Sequence, residues 1–365
     1  MLMFQTHCYD SWLSIEARKS PVRTWSQIFG TLPAPLFTFV AGISVALVTE
    51  RLWGKGIASA SIARRTVLRG TEIFALGLLF RMQEFVFGLP NSPWTDLLRV
   101  DILNLLGISI IFMGLLCWAV STFSQLVPAA NIQRVRIRAI FASLTVATLI
   151  ALLTPPLWTT WRLKFLPWPL ETYINGIHTF SEPQHWLFPI FPWTAFAFAG
   201  LATGFFLHTS FAVKREALAF TGLAGAGAAG IFLSILLDRM PFHLYASYDY
   251  WHASPQFLLI RCGVLLLVLA GTYAWCRWGF AEKGFSPLIQ LGTTSLLVYW
   301  VHIEFVYGRL SILPKGHSSV AKATLGLIVI FLAMLVLSLA RTRWKKSRAK
   351  ASAPSSAGVP APAGS

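Results

Sequence analysis

Nine apolar runs, each long enough to cross a lipid bilayer, constrain the fold of this 365-residue chain more than any other feature. A transmembrane helix needs about 20 predominantly apolar residues. Charged residues make up only 12% of the chain, about half of their usual share in soluble domains. The sequence therefore predicts an all-α, polytopic integral membrane bundle. The runs lie at 28–48, 66–89, 98–122, 136–158, 186–208, 217–237, 257–276, 287–308 and 320–340.

The chain opens with MLMFQTHCYDSW, an apolar stub that runs directly into His7 and Asp10. The stub lacks the basic start and the longer apolar core of a signal peptide. We expect it to be the outer end of a truncated first membrane helix, whose missing part lies upstream of Met1. With this helix the chain would have nine full spans plus the truncated one, or ten crossings.

Basic residues cluster in alternate loops of this ten-crossing arrangement. Five segments hold 18 of the 30 lysine and arginine residues, namely 51–69, 134–138, 214–215, 277–283 and 341–350. All five fall on one side of the membrane, which the positive-inside rule assigns to the cytoplasm. The sequence thus predicts a transmembrane domain over 1–341, followed over 342–365 by a basic and then disordered cytoplasmic tail.

The same placement argues against other classes of function. A net charge of +16 in a soluble protein would suggest nucleic-acid binding, but here the charge follows the loops and indicates topology instead. The four cysteines form no CxxC pair, so the sequence predicts no metal site. GAGAAG at 225–230 matches a dinucleotide-binding pattern, yet it lies inside an apolar run and favours close helix packing.

Histidines supply the first candidate site residues. In SLLVYWVHIEFVYGRL, a continuous helix would place Ser295, Tyr299, His302 and Arg309 on one face. Such a polar stripe could line a cavity or form a hydrogen-bonded seam between helices. His7 precedes Asp10 by one helical turn, so the carboxylate could orient the imidazole; His7 could instead be an interfacial residue that caps a helix.

Charged residues within the predicted spans supply the second group. Arg81 and Glu84 lie one turn apart, and Arg99 stands beside Asp101. Paired opposite charges lower the cost of burial, so these residues are either functional or structural. The aromatic loops near 159–185 and 238–256 are open to two readings, a membrane-surface belt or lids over an outward-facing site.

Five segments, taken in order, resemble the bacterial relatives of heparan-alpha-glucosaminide N-acetyltransferase, which belong to a wider class of transmembrane acyltransferases. They are His7 with CYDSW, LPAPLFTFVAGISVAL, LRVDILNLLGIS, FPWTAFAFAGLATG and LGTTSLLVYWVHIEFVYG. The resemblance implies transfer of an acetyl or other acyl group from cytoplasmic acyl-CoA to a hydroxyl or amine of an extracytoplasmic sugar or glycan. It also implies a catalytic role for His7 and a location in the bacterial inner membrane. The first helix of these relatives is longer, whereas this chain has only a short apolar stub before His7.

The chemistry of acyl transfer suggests roles for the candidates. We expect His7 to act as the base or as a transient acyl carrier, oriented by Asp10. A substrate-binding group would comprise His302, Tyr299, Arg81, Arg99, Asp101 and Arg309. Arg64 and Arg65 could hold the phosphates of coenzyme A, although the positive-inside rule already explains them.

Two alternatives remain open on the sequence alone. One is a secondary transporter whose intramembrane charges bind substrate or relay protons. The other is a structural or lipid-flipping protein of the cell envelope. The sequence predicts the bilayer and a glycan as partners, with no nucleic acid, and leaves open whether copies form a homo-oligomer.

Overall fold

The computed structural model describes residues 2–125, 132–176, 188–241, 244–245, 249–279 and 284–351. Within these residues the chain forms fourteen α-helices and no β-sheet. The all-α prediction is therefore confirmed. The helices are α1 (Leu2–Trp12), α2 (Pro21–Gly30), α3 (Pro33–Trp53), α4 (Ser59–Gly88), α5 (Ile102–Gln125), α6 (Ile132–Trp158), α7 (Trp168–Asn175), α8 (Ile190–Leu207), α9 (Ser210–Lys214), α10 (Glu216–Asp238), α11 (Pro255–Arg277), α12 (Pro287–Thr293), α13 (Ser295–Val306) and α14 (Val320–Ala351).

Seven segments of the described chain are long and apolar enough to cross a membrane, and they coincide with seven of the nine predicted runs. They contain α3, α5, α6, α8, α10, α11 and α14. These lengths and compositions are those of an α-helical membrane protein. The run at 66–89 forms the 30-residue helix α4, which is long enough but carries six charged residues.

The apolar run predicted at 287–308 does not form one continuous helix. This run is divided into α12 and α13, because Thr294 has a non-helical backbone with φ −123° and ψ 26°. Glycine and threonine are weak helix formers, and the local sequence is GTTS. The Thr294 hydroxyl also bonds to Ser338 Oγ on α14 at 2.6 Å, which favours the break over a continued helix.

The described chain divides into two compact units, one of which comprises Thr31–Glu282. Its central helix is α8, where 12 of 18 residues are buried. α8 packs against α3, α5, α6 and α11. Its contact with α3 is backbone against backbone, since a Cβ atom added to Gly200 would lie 1.9 Å from the Phe39 carbonyl oxygen. A Cβ on Gly42 would likewise lie 2.0 Å from the Ala197 oxygen, so only glycine fits at these two points.

The packing interpretation of GAGAAG is confirmed within the same unit. Gly227 belongs to this stretch on α10, and a Cβ added there would lie 2.7 Å from the carbonyl oxygen of Gly263 on α11. The pattern thus joins two antiparallel helices that are neighbours in sequence.

The other unit comprises Met1–Gly30 and Lys283–Ser365. In it α1 packs against α2, α13 and α14, and α12 and α13 also contact α14. The core of this unit includes Phe4, Cys8, Trp12, Val306 and Met334. α14 is a single helix that continues through the basic part of the predicted tail to Ala351, whereas 352–365 lie outside the described residues.

The C-terminal end of α1 is fixed by the chain that follows α13. The last carbonyl groups of a helix have no partner within the helix itself. Here the Ser11 and Trp12 oxygens accept hydrogen bonds from the Gly316 and Ser318 amides at 2.8 and 2.7 Å. Ser11 Oγ in turn donates to the Val306 oxygen at 2.7 Å. These bonds hold α1 in register with α13.

Candidate functional site

The register of α1 and α13 brings two histidines together. His7 Nδ1 lies 2.9 Å from His302 Nε2, although 295 positions separate them in the sequence. The two ring planes differ by only 5°, which lets an N–H of one ring point along the in-plane lone pair of the other. Two residues predicted separately as candidates therefore form one hydrogen-bonded pair.

The hydrogen-bond pattern determines where the protons of this neutral pair lie. His302 Nδ1 is 2.8 Å from the Val298 carbonyl oxygen, which can only accept, so Nδ1 carries the proton. His302 Nε2 is then an acceptor, and His7 Nδ1 must be the donor. It follows that His7 Nε2 bears a lone pair, and the structure gives this atom no hydrogen-bond partner among the described residues.

The two imidazoles differ in exposure. His302 is completely buried, whereas His7 is only half-buried. Aromatic edges surround the pair, with the ring centroid of Phe4 4.9 Å from that of His302 and the centroid of Tyr307 5.4 Å from that of His7. Tyr299 also contacts His302 edge-on, at 5.8 Å between ring centroids. His302 is thus shielded from water, and the unpartnered ring nitrogen of the pair belongs to the half-buried His7.

Asp10 has other partners than the one predicted. Its Oδ2 accepts the Tyr307 hydroxyl at 2.9 Å, and its Oδ1 lies 3.8 Å from Arg23 Nη2. Arg18 donates to the backbone carbonyl of the same residue. His7 Nδ1 bonds to His302 and not to the Asp10 carboxylate. Asp10 is linked to the pair only indirectly, through Tyr307, whose hydroxyl bonds to Asp10 and whose ring contacts His7.

The stripe predicted along one helix face does not form as a whole. Because α13 ends at Val306, Arg309 lies in the turn beyond the helix, where it is exposed. Ser295 is exposed at the start of α13, and only Tyr299 and His302 share its buried side. Tyr307 was not identified as a site residue from the sequence alone. Its position five residues after His302, in a segment of polar and aromatic residues, could have indicated it.

Arg81, Arg99 and Asp101 form a second group in the unit Thr31–Glu282. Arg81 is buried, and its Nε donates to the Asp96 carbonyl oxygen at 3.2 Å. Arg99 interacts electrostatically with Arg81, Asp96, Asp101 and Glu84. Burial raises the pKa of the neighbouring Tyr173 to about 12, with the charge of Asp101 adding to the shift and that of Arg81 opposing it. Tyr173 is thus a neutral hydroxyl beside this charged group.

Asp101 also has a local structural role. Its Oδ1 accepts the Leu103 amide at 3.1 Å, and Asn104 Oδ1 accepts the Asp101 amide at 3.3 Å. This reciprocal arrangement caps the N-terminus of α5. Asn104 Nδ2 further bonds to the Phe74 oxygen on α4 at 3.2 Å. The pairing of these two residues therefore stabilises a helix end and a helix contact.

Arg64 and Arg65 are exposed on the first turns of α4. A cavity of about 320 Å³ opens at the same end of this helix, between the α3–α4 loop and the ends of α5 and α6. Its lining includes the hydroxyl residues Ser59, Ser121 and Ser124, and Arg138 donates to Ser124 Oγ at 3.1 Å.

Metal ligation has no support in the described part of the chain, where no group of three His, Cys, Asp or Glu side chains is placed to hold a metal ion. His178, His185 and His243 lie outside the described residues.

No model of a known protein family matches the chain, and no curated protein matches it significantly.

Proposed function

We propose that this protein is a membrane-embedded acyltransferase in which His7 is the reactive base. The observation that carries the proposal is the directed chain from His7 Nδ1 through His302 to the Val298 oxygen, which leaves His7 Nε2 with a lone pair and no hydrogen-bond partner among the described residues. Acyl transfer from a thioester needs such a group to remove the proton of the attacking hydroxyl or amine.

In the proposed reaction, the acceptor oxygen or nitrogen attacks the thioester carbonyl carbon while His7 Nε2 takes its proton. The carbon–sulfur bond breaks, and the coenzyme A thiolate leaves and takes the proton held by His7, which restores the neutral base. His7 becomes positively charged during this step, so its Nδ1–H bond to His302 becomes charge-assisted and stronger. His302 thus acts as a positioning residue that also stabilises the charge.

The same geometry supports a covalent variant of this reaction. His7 Nε2 would attack the thioester carbon itself, release coenzyme A, and pass the acyl group to the acceptor in a second step. The two variants differ in whether one equivalent of coenzyme A is released before any acceptor is added.

The resemblance to bacterial relatives of heparan-alpha-glucosaminide N-acetyltransferase supports a cytoplasmic acyl-CoA donor and an extracytoplasmic sugar or glycan acceptor. The basic-loop pattern supports an inner-membrane location with a cytoplasmic C-terminus. Serine hydroxyls line the cavity beside Ser59, and Arg138 donates to one of them, so the unit Thr31–Glu282 contains polar groups of the kind that bind a phosphate. The roles of Tyr299, Arg81, Arg99, Asp101 and Arg309 in substrate binding stay predictions.

A secondary transporter is the second candidate, because two hydrogen-bonded imidazoles can also relay a proton. Acyl-CoA chemistry separates the two functions, since a transporter has no reason to consume a thioester.

The test uses the purified full-length protein and radiolabelled acetyl-CoA, with and without a mixture of amino sugars. We expect slow hydrolysis or label transfer by the wild type, and a loss of about 10²–10⁴-fold in His7→Ala. His317→Ala is the matched control, since His317 is an exposed histidine in the same unit. Equal turnover in His7→Ala and the wild type would exclude His7 as the base, and a wild type that leaves acetyl-CoA intact would favour the transporter.

A further inference from the structure

An arginine interrupts the predicted apolar span 257–276, in the segment LLIRCGV. Arg261 is the seventh residue of α11, which is one of the helices able to cross a membrane. A charged side chain within a span is costly and marks a functional site by default. It belongs to the unit Thr31–Glu282 and takes no part in the histidine site.

Two aromatic rings enclose the Arg261 guanidinium. Its Cζ atom lies 5.8 Å from the ring centroid of Trp251 and 5.7 Å from that of Phe257. These cation–π contacts use the positive charge but none of the five N–H donors. The residue is only 9% exposed, and its buried Nε has no hydrogen-bond partner among the described residues.

Two other arginines of the same unit, Arg136 and Arg162, each form a bidentate ion pair with a glutamate. Arg136 binds both oxygens of Glu50 at 2.7 and 2.8 Å, and Arg162 binds both oxygens of Glu171 at 3.1 and 3.4 Å. In the described part of the chain no carboxylate forms an ion pair with Arg261. Arg261 therefore differs from them in having its charge shielded by rings and a buried Nε with no partner among the described residues.

We infer that Arg261 is the recognition residue of an oxyanion-binding site, one that takes a carboxylate or phosphate group. The planar fork of a guanidinium matches both groups in a bidentate geometry. Trp251, which covers one side of the guanidinium, is 53% exposed, so the site lies one side chain below the surface. The anion comes either from a small soluble ligand or from the headgroup of an acidic lipid. The inference is independent of the acyltransferase proposal, because its readout is binding alone.

The experiment measures thermal unfolding of the full-length protein in phosphatidylcholine nanodiscs. In the first arm, sodium phosphate or sodium glucuronate is compared with sodium chloride at equal ionic strength. In the second arm, phosphatidylglycerol replaces part of the lipid and no anion is added. A ligand that binds only the folded state stabilises it by RT ln(1 + c/Kd), where c is the ligand concentration, so the midpoint Tm rises as c rises above Kd.

We expect an upward shift of Tm in one arm, which identifies the source of the anion. The shift should be lost in Arg261→Gln, reduced in Arg261→Lys, and kept in Arg277→Gln. Arg277 is the matched control, an exposed arginine at the end of the same helix.

Three results would overturn the inference: no shift of the wild type in either arm, an undiminished shift in Arg261→Gln, or equal loss of the shift in Arg277→Gln. If Arg261→Gln does not fold, the lysine variant decides, because it keeps the charge but not the fork. A full shift in Arg261→Lys would then contradict bidentate recognition.

Discussion

Replacing His302 by leucine tests how much the second imidazole contributes to the proposed catalysis. Leucine keeps an apolar side chain of comparable bulk among Phe4 and Tyr299, but it removes the acceptor for His7 Nδ1–H. Because His302 is completely buried, water cannot take its place. A hydrogen bond to a charged group contributes about 1.5–3 kcal/mol. That loss in the transition state corresponds to about a 10- to 150-fold drop in kcat/KM, since each 1.36 kcal/mol is tenfold in rate.

The assay compares kcat/KM for acyl transfer by the wild type, His302→Leu and His302→Gln, each checked by thermal unfolding. The glutamine variant offers an amide oxygen as acceptor, so we expect it to recover part of the activity that leucine loses. A folded His302→Leu protein with kcat/KM within about twofold of the wild type would refute the reasoning, because that is well below the expected loss. His302→Leu should also lose less than His7→Ala, which removes the base itself.

Three further predictions concern Asp10, the close packing at Gly42 and the membrane topology. Asp10→Asn should lower kcat/KM less than His302→Leu does, because an amide oxygen can still accept the Tyr307 hydroxyl and Asp10 does not contact His7 Nδ1; a loss as large as that of His7→Ala would contradict this. Gly42→Ala should lower the free energy of unfolding by about 1–3 kcal/mol or more, since its Cβ would lie 2.0 Å from a carbonyl oxygen. A Cβ added to Gly222 would meet no atom within 4 Å, so Gly222→Ala should leave thermal stability unchanged or raise it. Similar losses of stability in both glycine variants would contradict the packing argument. A reporter fused after Lys346 should read cytoplasmic, and an external signal would overturn the proposed topology.

Local features of the sequence determined most of the helical structure. Hydropathy and helix length depend on short stretches of chain, which is why seven of the nine predicted runs appear as helices able to span a membrane. Small residues at 225–230 correctly indicated close packing, because glycine permits backbone contact whichever helix approaches. The cap formed by Asp101 and Asn104 is equally local, and its three-residue spacing could have been read from the sequence.

The break in the helix at Thr294 could be predicted only in part from the local sequence. Weak helix formers mark the place, but the sequence alone gave no sign of the bond to Ser338, which lies 44 positions further along the chain. Arg309 was therefore assigned to a helix face that ends before reaching it.

Only the tertiary structure decided the partners of the site residues. The sequence singled out His7 and His302 separately and paired His7 with its helical neighbour Asp10, because spacing reveals only contacts within one helix. The bond between the two imidazoles depends on the register of α1 against α13, which the Gly316 and Ser318 amides fix from a loop. Contacts between residues 295 positions apart arise from how helices pack. Packing is a property of the whole unit, and no single stretch of sequence specifies it.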